Sequence, residues 1–334
     1  MRRTIPPALI LGLAVMLAAC ATPHRQAAMP PVPPVVTDGV FTMADGAHLP
    51  FREWWPLGKP AIVVLALHGI DDSRDAWEVP GPLLAAQGIA VIAPDERGFG
   101  ATPGRGYWPG TAQMLSDARA MALTVRQQNP GAKLYLMGES MGGAVLLALA
   151  ASPDAPQVDG YVFSSPAVWG RRQMNILYRS VLWLADSTVP NMRLTGGGTG
   201  VVPTDNETAW DRLSRDPLTV TDTRVATVKG LVDLMDQALA GAGHISAPAL
   251  FLYGGHDELV PKPAMAAAWR AAAASGDAAV TLAFYPKGYH LLQRDHEGPT
   301  VTADIAHWLR DPAAPLPSGA DARARDWIAG QPAS

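Results

Sequence analysis

One stretch limits what this chain can fold into more than any other: Leu134 to Ala150, where an apolar run breaks at Gly138-Glu-Ser-Met-Gly142 and at once resumes with helical character. It reads as a strand, a sharp turn and a helix. Gly138 and Gly142 flank Ser140 because strand and helix pass within contact distance at such a turn, leaving no room for a Cβ. The turn lifts the Ser140 hydroxyl clear of the sheet. It also sets the N–H of Met141 at a helix N-terminus, where an unpaired donor and the helix dipole stabilise negative charge on a reacting carbonyl oxygen. A glycine-rich turn can contain a serine by chance, so the flanking strand and helix carry the argument.

The chain has 334 residues, 48% of them hydrophobic, enough for one large domain with a sizeable core. With 26 Lys and Arg against 30 Asp and Glu, the net charge of −4 and the lack of a basic stripe exclude nucleic acid as a partner. Cys20 is the single cysteine, so an intramolecular disulfide and a cysteine metal cluster are excluded too. Its surroundings explain it. Arg2 and Arg3, the apolar run Ala8 to Ala19 and Leu17-Ala-Ala-Cys20 make residues 1–19 a signal peptide. The last four residues resemble the lipobox of bacterial lipoproteins, which implies cleavage before Cys20, lipidation of its thiol and attachment to the membrane. Ala21 replaces the aspartate that typically retains such proteins in the inner membrane, so the resemblance implies the outer membrane, facing the periplasm. Residues 20–36, with Pro23, Pro30, Pro31, Pro33 and Pro34, read as an extended tether.

Folded structure is expected from about residue 37, starting with a hairpin around Asp45-Gly46 near Gly39 to Trp55. Strands and helices then alternate: strand 61–67, helix 75–87, strand 89–93, helix 114–128, strand 133–137, the helix after Ser140 and strand 161–163. This βαβα rhythm predicts an α/β fold, a mostly parallel sheet with helices on both faces. From about 166 to 245 the pattern turns helical, with helices over 171–184, 207–213 and 225–240, and reads as an inserted cap. A loop at Thr195 to Thr199 holds three glycines, and Trp169, Tyr178, Leu182 and Trp183 give the first cap helix an apolar surface. Strands return at 249–253 and 280–285. A helix over 301–309 closes the domain near 312, ahead of a tail over 313–334.

Ligands meet such sheets at the carboxyl ends of the strands, which is where partners for Ser140 belong. Asp257 follows strand 249–253 and His290 follows strand 280–285. The histidine would take and return the serine proton, and the carboxylate would fix its tautomer. Glu258 neighbours Asp257 and is an alternative acid, whereas Asp95 sits beside an arginine and two glycines and reads as a loop organiser. His68-Gly69-Ile70 follows strand 61–67, so the Ile70 N–H is expected to join that of Met141 as the second oxyanion donor. His68 reads as an orienting residue.

These marks, with Leu67-His-Gly69, Asp95-Glu-Arg-Gly-Phe-Gly100, Gly138-Glu-Ser-Met-Gly-Gly143, Asp216-Pro-Leu218, Gly254-Gly-His-Asp257 and Gly288-Tyr-His290, resemble α/β-hydrolases of the monoacylglycerol lipase and lysophospholipase type, often grouped with the serine aminopeptidase S33 clan. The resemblance spans about residues 39 to 310 and is weakest in the cap. It implies hydrolysis of a small-molecule acyl ester through an acyl-enzyme on Ser140, without a metal or organic cofactor. Monoacylglycerol and lysophospholipid are the first expectation, short-chain esters or peptides the next, and a non-catalytic lipid-binding module the last.

Overall fold

The computed structural model describes residues 35–195, 200–276 and 279–332. The expected signal peptide, Cys20, the tether up to residue 34 and residues 196–199 of the glycine loop lie outside that range. A hairpin opens the domain. Strand β1 (Val35–Thr42) pairs antiparallel with β2 (His48–Trp55), and pairing reaches back to Val35 opposite Trp55, ahead of the expected start.

Next come β3 (Ile62–Leu67), β4 (Ile89–Pro94), β5 (Lys133–Glu139) and β6 (Gly160–Ser164). Apart from Lys133, every residue of these four is buried, as expected of strands covered on both faces. Their side chains alternate between layers: Val63, Leu65 and Leu67 join one apolar cluster, Ile62, Val64 and Ala66 the other. The helix expected over 75–87 divides into a 3-10 turn (Arg74–Trp77) and α1 (Pro80–Ala85), because Pro80 lacks the N–H a continuing helix needs and is suited to starting a new one. Helix α2 (Thr111–Gln128) begins ahead of the expected residue 114, and α3 (Met141–Ala150) falls where expected.

The cap comprises a 3-10 turn (Arg171–Gln173), α4 (Ile176–Thr188), β7 (Arg193–Thr195), α5 (Glu207–Arg215), β8 (Asp222–Arg224) and α6 (Val225–Gly241). The first cap helix starts at Ile176 rather than Arg171, since the Asn175 side chain accepts the Tyr178 N–H at 2.9 Å and caps it there. The short β7–β8 pair has no aliphatic run to announce it. α6 lies along α3, so the cap rests on the helix that follows Ser140.

Then follow β9 (Ala249–Gly254), α7 (Lys262–Ala274), β10 (Val280–Tyr285), α8 (Gly298–Arg310) and α9 (Ala320–Ala329). The sheet order is β1-β2-β4-β3-β5-β6-β9-β10, parallel from β4 onward with the antiparallel hairpin at one edge. Trp77, Trp269 and Trp308 are fully buried, and burying a large apolar side chain contributes about 1.5–3 kcal/mol. The segment after 312, read as a tail, carries α9. There Trp327 stacks on Phe284 with ring centroids 5.2 Å apart and meets Tyr253 and Trp269, while Arg323 Nε donates to the Phe284 carbonyl at 3.3 Å. Among the described residues no helix is long and apolar enough to cross a membrane.

Candidate active site

Ser140 joins β5 to α3 with φ 53° and ψ −112°, a left-handed conformation that costs an L-residue on the order of 1–3 kcal/mol and persists only where its surroundings over-determine it. They do. The Ser140 N–H donates to the Ser164 carbonyl (3.0 Å), and its own carbonyl accepts from the N–H groups of Ala144 (3.0 Å) and Ala167 (2.9 Å). A Cβ on Gly138 would stand 2.4 Å from the Gly142 carbonyl carbon, and one on Gly142 would stand 2.5 Å from the Leu67 oxygen. Both glycines are therefore steric requirements of the turn.

The Gly142 N–H donates to the His68 carbonyl at 2.9 Å, tying the start of α3 to the loop after β3. A Cβ on Gly69 would lie 3.4 Å from that of Ser140, so this loop runs beside the serine. Among the described residues neither the Met141 nor the Ile70 N–H has a hydrogen-bond acceptor, which leaves both donors available to a ligand.

His290 Nδ1 lies 2.9 Å from Asp257 Oδ2, and both residues are buried. Asp257 Oδ1 accepts the Leu259 and Val260 N–H groups, each at 2.9 Å. The carboxylate is thus held on one oxygen and presents the other to the ring. Glu258 is exposed and takes no part. Asp95 is engaged elsewhere: it accepts the N–H groups of Arg74 (2.7 Å) and Ala101 (2.8 Å) and pairs with the Arg74 guanidinium. Among the described residues no hydrogen bond links the Ser140 hydroxyl to His290, a contact that often tightens only when substrate is bound.

Burial pushes the His290 pKa down, but the Asp257 charge and hydrogen bond, helped by Glu139, outweigh it, so the pKa lies above the ordinary histidine value. A general base works in its neutral form, so kcat/KM is expected to fall as pH drops through this raised pKa, with the acid limb centred above the ordinary imidazole value. A profile recorded from pH 5 to 9 checks this; a limb centred below that value would contradict the environment described.

His68 is fully buried and uses both ring nitrogens. Nε2 lies 2.9 Å from the Glu96 backbone nitrogen, which can only donate, so the ring proton sits on Nδ1 and is donated to the Gly69 carbonyl at 2.7 Å. A neutral ring so committed clamps the ends of β3 and β4 and orients the Gly69–Ile70 loop.

Two further features escaped the sequence reading. A buried ion-pair group joins Arg294 to Asp72, with Nη1 2.8 Å from Oδ2, and to Glu139, the residue before Ser140. The cap is fastened beside the same loop: Asp71, left-handed at φ 62°, accepts the Thr223 hydroxyl through its carboxylate and the Val220 N–H through its carbonyl at 2.8 Å. A cavity of about 240 Å³ opens between this loop and α5, lined by charged groups that include Asp72, Asp216, Arg212 and Arg294. Nothing in the spacing of Arg294, Asp72, Asp71 or Thr223 marks them, because each is legible only through a partner remote in sequence.

Known proteins resemble this chain in sequence and fold. The sequence profile described as serine aminopeptidase, S33 matches residues 58–297. A monoglyceride lipase of Mus musculus is 27% identical over 267 residues, covering 79% of this chain and 86% of its own length. A monoacylglycerol lipase of Mycolicibacterium smegmatis is 25% identical over 281 residues, covering 80% and 95%. Among solved structures, a soluble variant of monoglyceride lipase from Saccharomyces cerevisiae in complex with a substrate analog superposes with a TM-score of 0.68 at 22% identity, covering 86% of this chain and 97% of that one. That likeness shows the α/β-hydrolase fold.

Proposed function

The chain belongs to the serine aminopeptidase S33 family, and from that membership we propose that it hydrolyses carboxylic esters of single-chain lipids, monoacylglycerol or lysophospholipid, through an acyl-enzyme on Ser140. As a carboxylic ester hydrolase it needs a nucleophile, a base and an oxyanion site. In this reading His290 Nε2 takes the Ser140 proton as Oγ attacks the ester carbonyl, and Asp257 steadies the imidazolium through Nδ1–H. The N–H groups of Met141 and Ile70 receive the developing oxyanion. His290 returns the proton to the departing alcohol, then activates the water that releases the acid.

The observation that carries the reading is the buried His290–Asp257 pair at the carboxyl edge of the sheet that bears the strained Ser140. The lipid assignment draws on the cap. α4 leaves Ile176, Leu177, Tyr178, Val181, Trp183 and Leu184 more than half exposed, an apolar surface suited to acyl chains. The relatives named for monoacylglycerol hydrolysis support it as well. Lipidation of Cys20, with attachment to the bacterial outer membrane facing the periplasm, would keep the enzyme beside such substrates. A second reading, a short-chain ester, would use the same serine, base and oxyanion donors.

The test is fatty-acid release by the domain lacking residues 1–20 from monoacylglycerols, lysophospholipids and short-chain esters. Release confined to long acyl chains is expected. Release from short esters alone would replace the lipid reading with the second, and no release from any of them by a folded protein would refute both.

A further inference from the structure

We propose that Arg294 is a positioning residue that holds the oxyanion loop, the serine elbow and the histidine loop in one register, an inference that rests on the serine-hydrolase reading above. These three segments come from ends of different strands, and a catalytic geometry needs them fixed relative to one another. The Arg294 N–H donates to the Leu291 carbonyl at 2.8 Å, closing the 3-10 turn Leu292–Arg294 directly behind His290. Its guanidinium then reaches in two directions. Nη1 lies 2.8 Å from Asp72 Oδ2, two residues beyond Ile70, and Nη2 donates to Glu139 Oε1, one residue before Ser140.

Arg294, Asp72 and Glu139 are exposed by only 5%, 4% and 2%. In such surroundings two carboxylates facing one cation are held firmly, and removing the cation leaves both uncompensated. A planar fork can bridge two acceptors in fixed directions, which the single ammonium of lysine cannot do. The cap is drawn in as well, since the side chain of Asn206, the residue capping α5, donates to the Arg294 carbonyl at 3.0 Å.

The charged groups facing His290 are Asp257 after β9, Glu139 at the end of β5 and Arg294 in the 3-10 turn. Glu139 favours the imidazolium and Arg294 opposes it. The arrangement therefore sets both the geometry of the reacting groups and the charge felt by the base, and the two effects separate by substitution. Arg294→Lys keeps the charge and loses the bridge. Glu139→Gln keeps the shape and loses one charge.

The experiment uses the full chain and these two variants with Arg294→Met, checked for folding by thermal melting. Two rates are read: phosphonylation of Ser140 by a fluorophosphonate, which needs the catalytic groups but no natural substrate, and hydrolysis of a 4-nitrophenyl ester across pH. Arg294→Lys is expected to fold, to lose about 100-fold in both rates with KM nearly unchanged, the cost of a small misplacement of reacting groups, and to keep its acid limb in place. Arg294→Met is expected to lose at least as much in both rates, and in Glu139→Gln the limb moves to lower pH, because one of the two carboxylates that favour the imidazolium is gone. A folded Arg294→Lys within about threefold of wild type in both rates would overturn the proposal and leave the hydrolase reading intact. Should the arginine variants not fold, Glu139→Ala, which removes one arm of the bridge, decides by the same two rates, a loss below about threefold overturning the proposal. A wild-type chain that neither labels at Ser140 nor turns over the ester would overturn both readings together.

Discussion

Ser140→Ala is expected to lower ester hydrolysis by about 10⁶-fold while leaving the melting temperature near that of the wild type, the loss seen when a serine hydrolase is deprived of its nucleophile. The fold is spared for a local reason. The hydrogen bonds that pin residue 140, from its N–H to Ser164 and to its carbonyl from Ala144 and Ala167, are all made by the backbone. Alanine keeps each of them and bears the same left-handed φ that serine bears. What disappears is the oxygen that attacks the carbonyl. A rate near wild type in a folded, homogeneous variant would transfer the reaction to another group.

His290→Ala is expected to cost a similar factor, about 10⁶, because base and nucleophile act as one unit and losing either is close to losing both. Removing the ring leaves the Asp257 carboxylate buried without its hydrogen-bond partner, which raises the question of folding. Asp257 retains the Leu259 and Val260 N–H donors on Oδ1, so its charge keeps two hydrogen bonds and the β9 loop keeps its shape. Circular dichroism close to wild type, together with turnover at background, is the expected pair of results. Turnover within about tenfold of wild type would assign the proton transfer to a different histidine.

Much of this architecture is legible in the sequence because it depends on local rules. Gly138 and Gly142 are demanded by contacts between neighbouring segments, and the aliphatic runs of β3 to β6 are what two-sided burial requires. Where local rules compete, the reading slipped: the helix expected from Asp75 divides at Pro80, and the cap's first helix waits for Asn175. Other features lie beyond such reading altogether. Arg294 meets Glu139 across 155 positions and Thr223 meets Asp71 across 152, and no spacing rule reaches so far. The β7–β8 ladder joins two segments of three residues, too short for any periodicity to register.

The last helix sets a boundary for anyone preparing this enzyme. Trp327 of α9 is one wall of an aromatic cluster with Tyr253, Trp269 and Phe284, and Arg323 occupies a carbonyl on β10, one of the two edge strands of the sheet. A shortened chain ending at Arg310 would look complete by family resemblance, yet it would bare those rings and a strand edge that templates association with other copies. The useful trimming point lies beyond Ala329, and a purification handle belongs where it does not pull on that tryptophan.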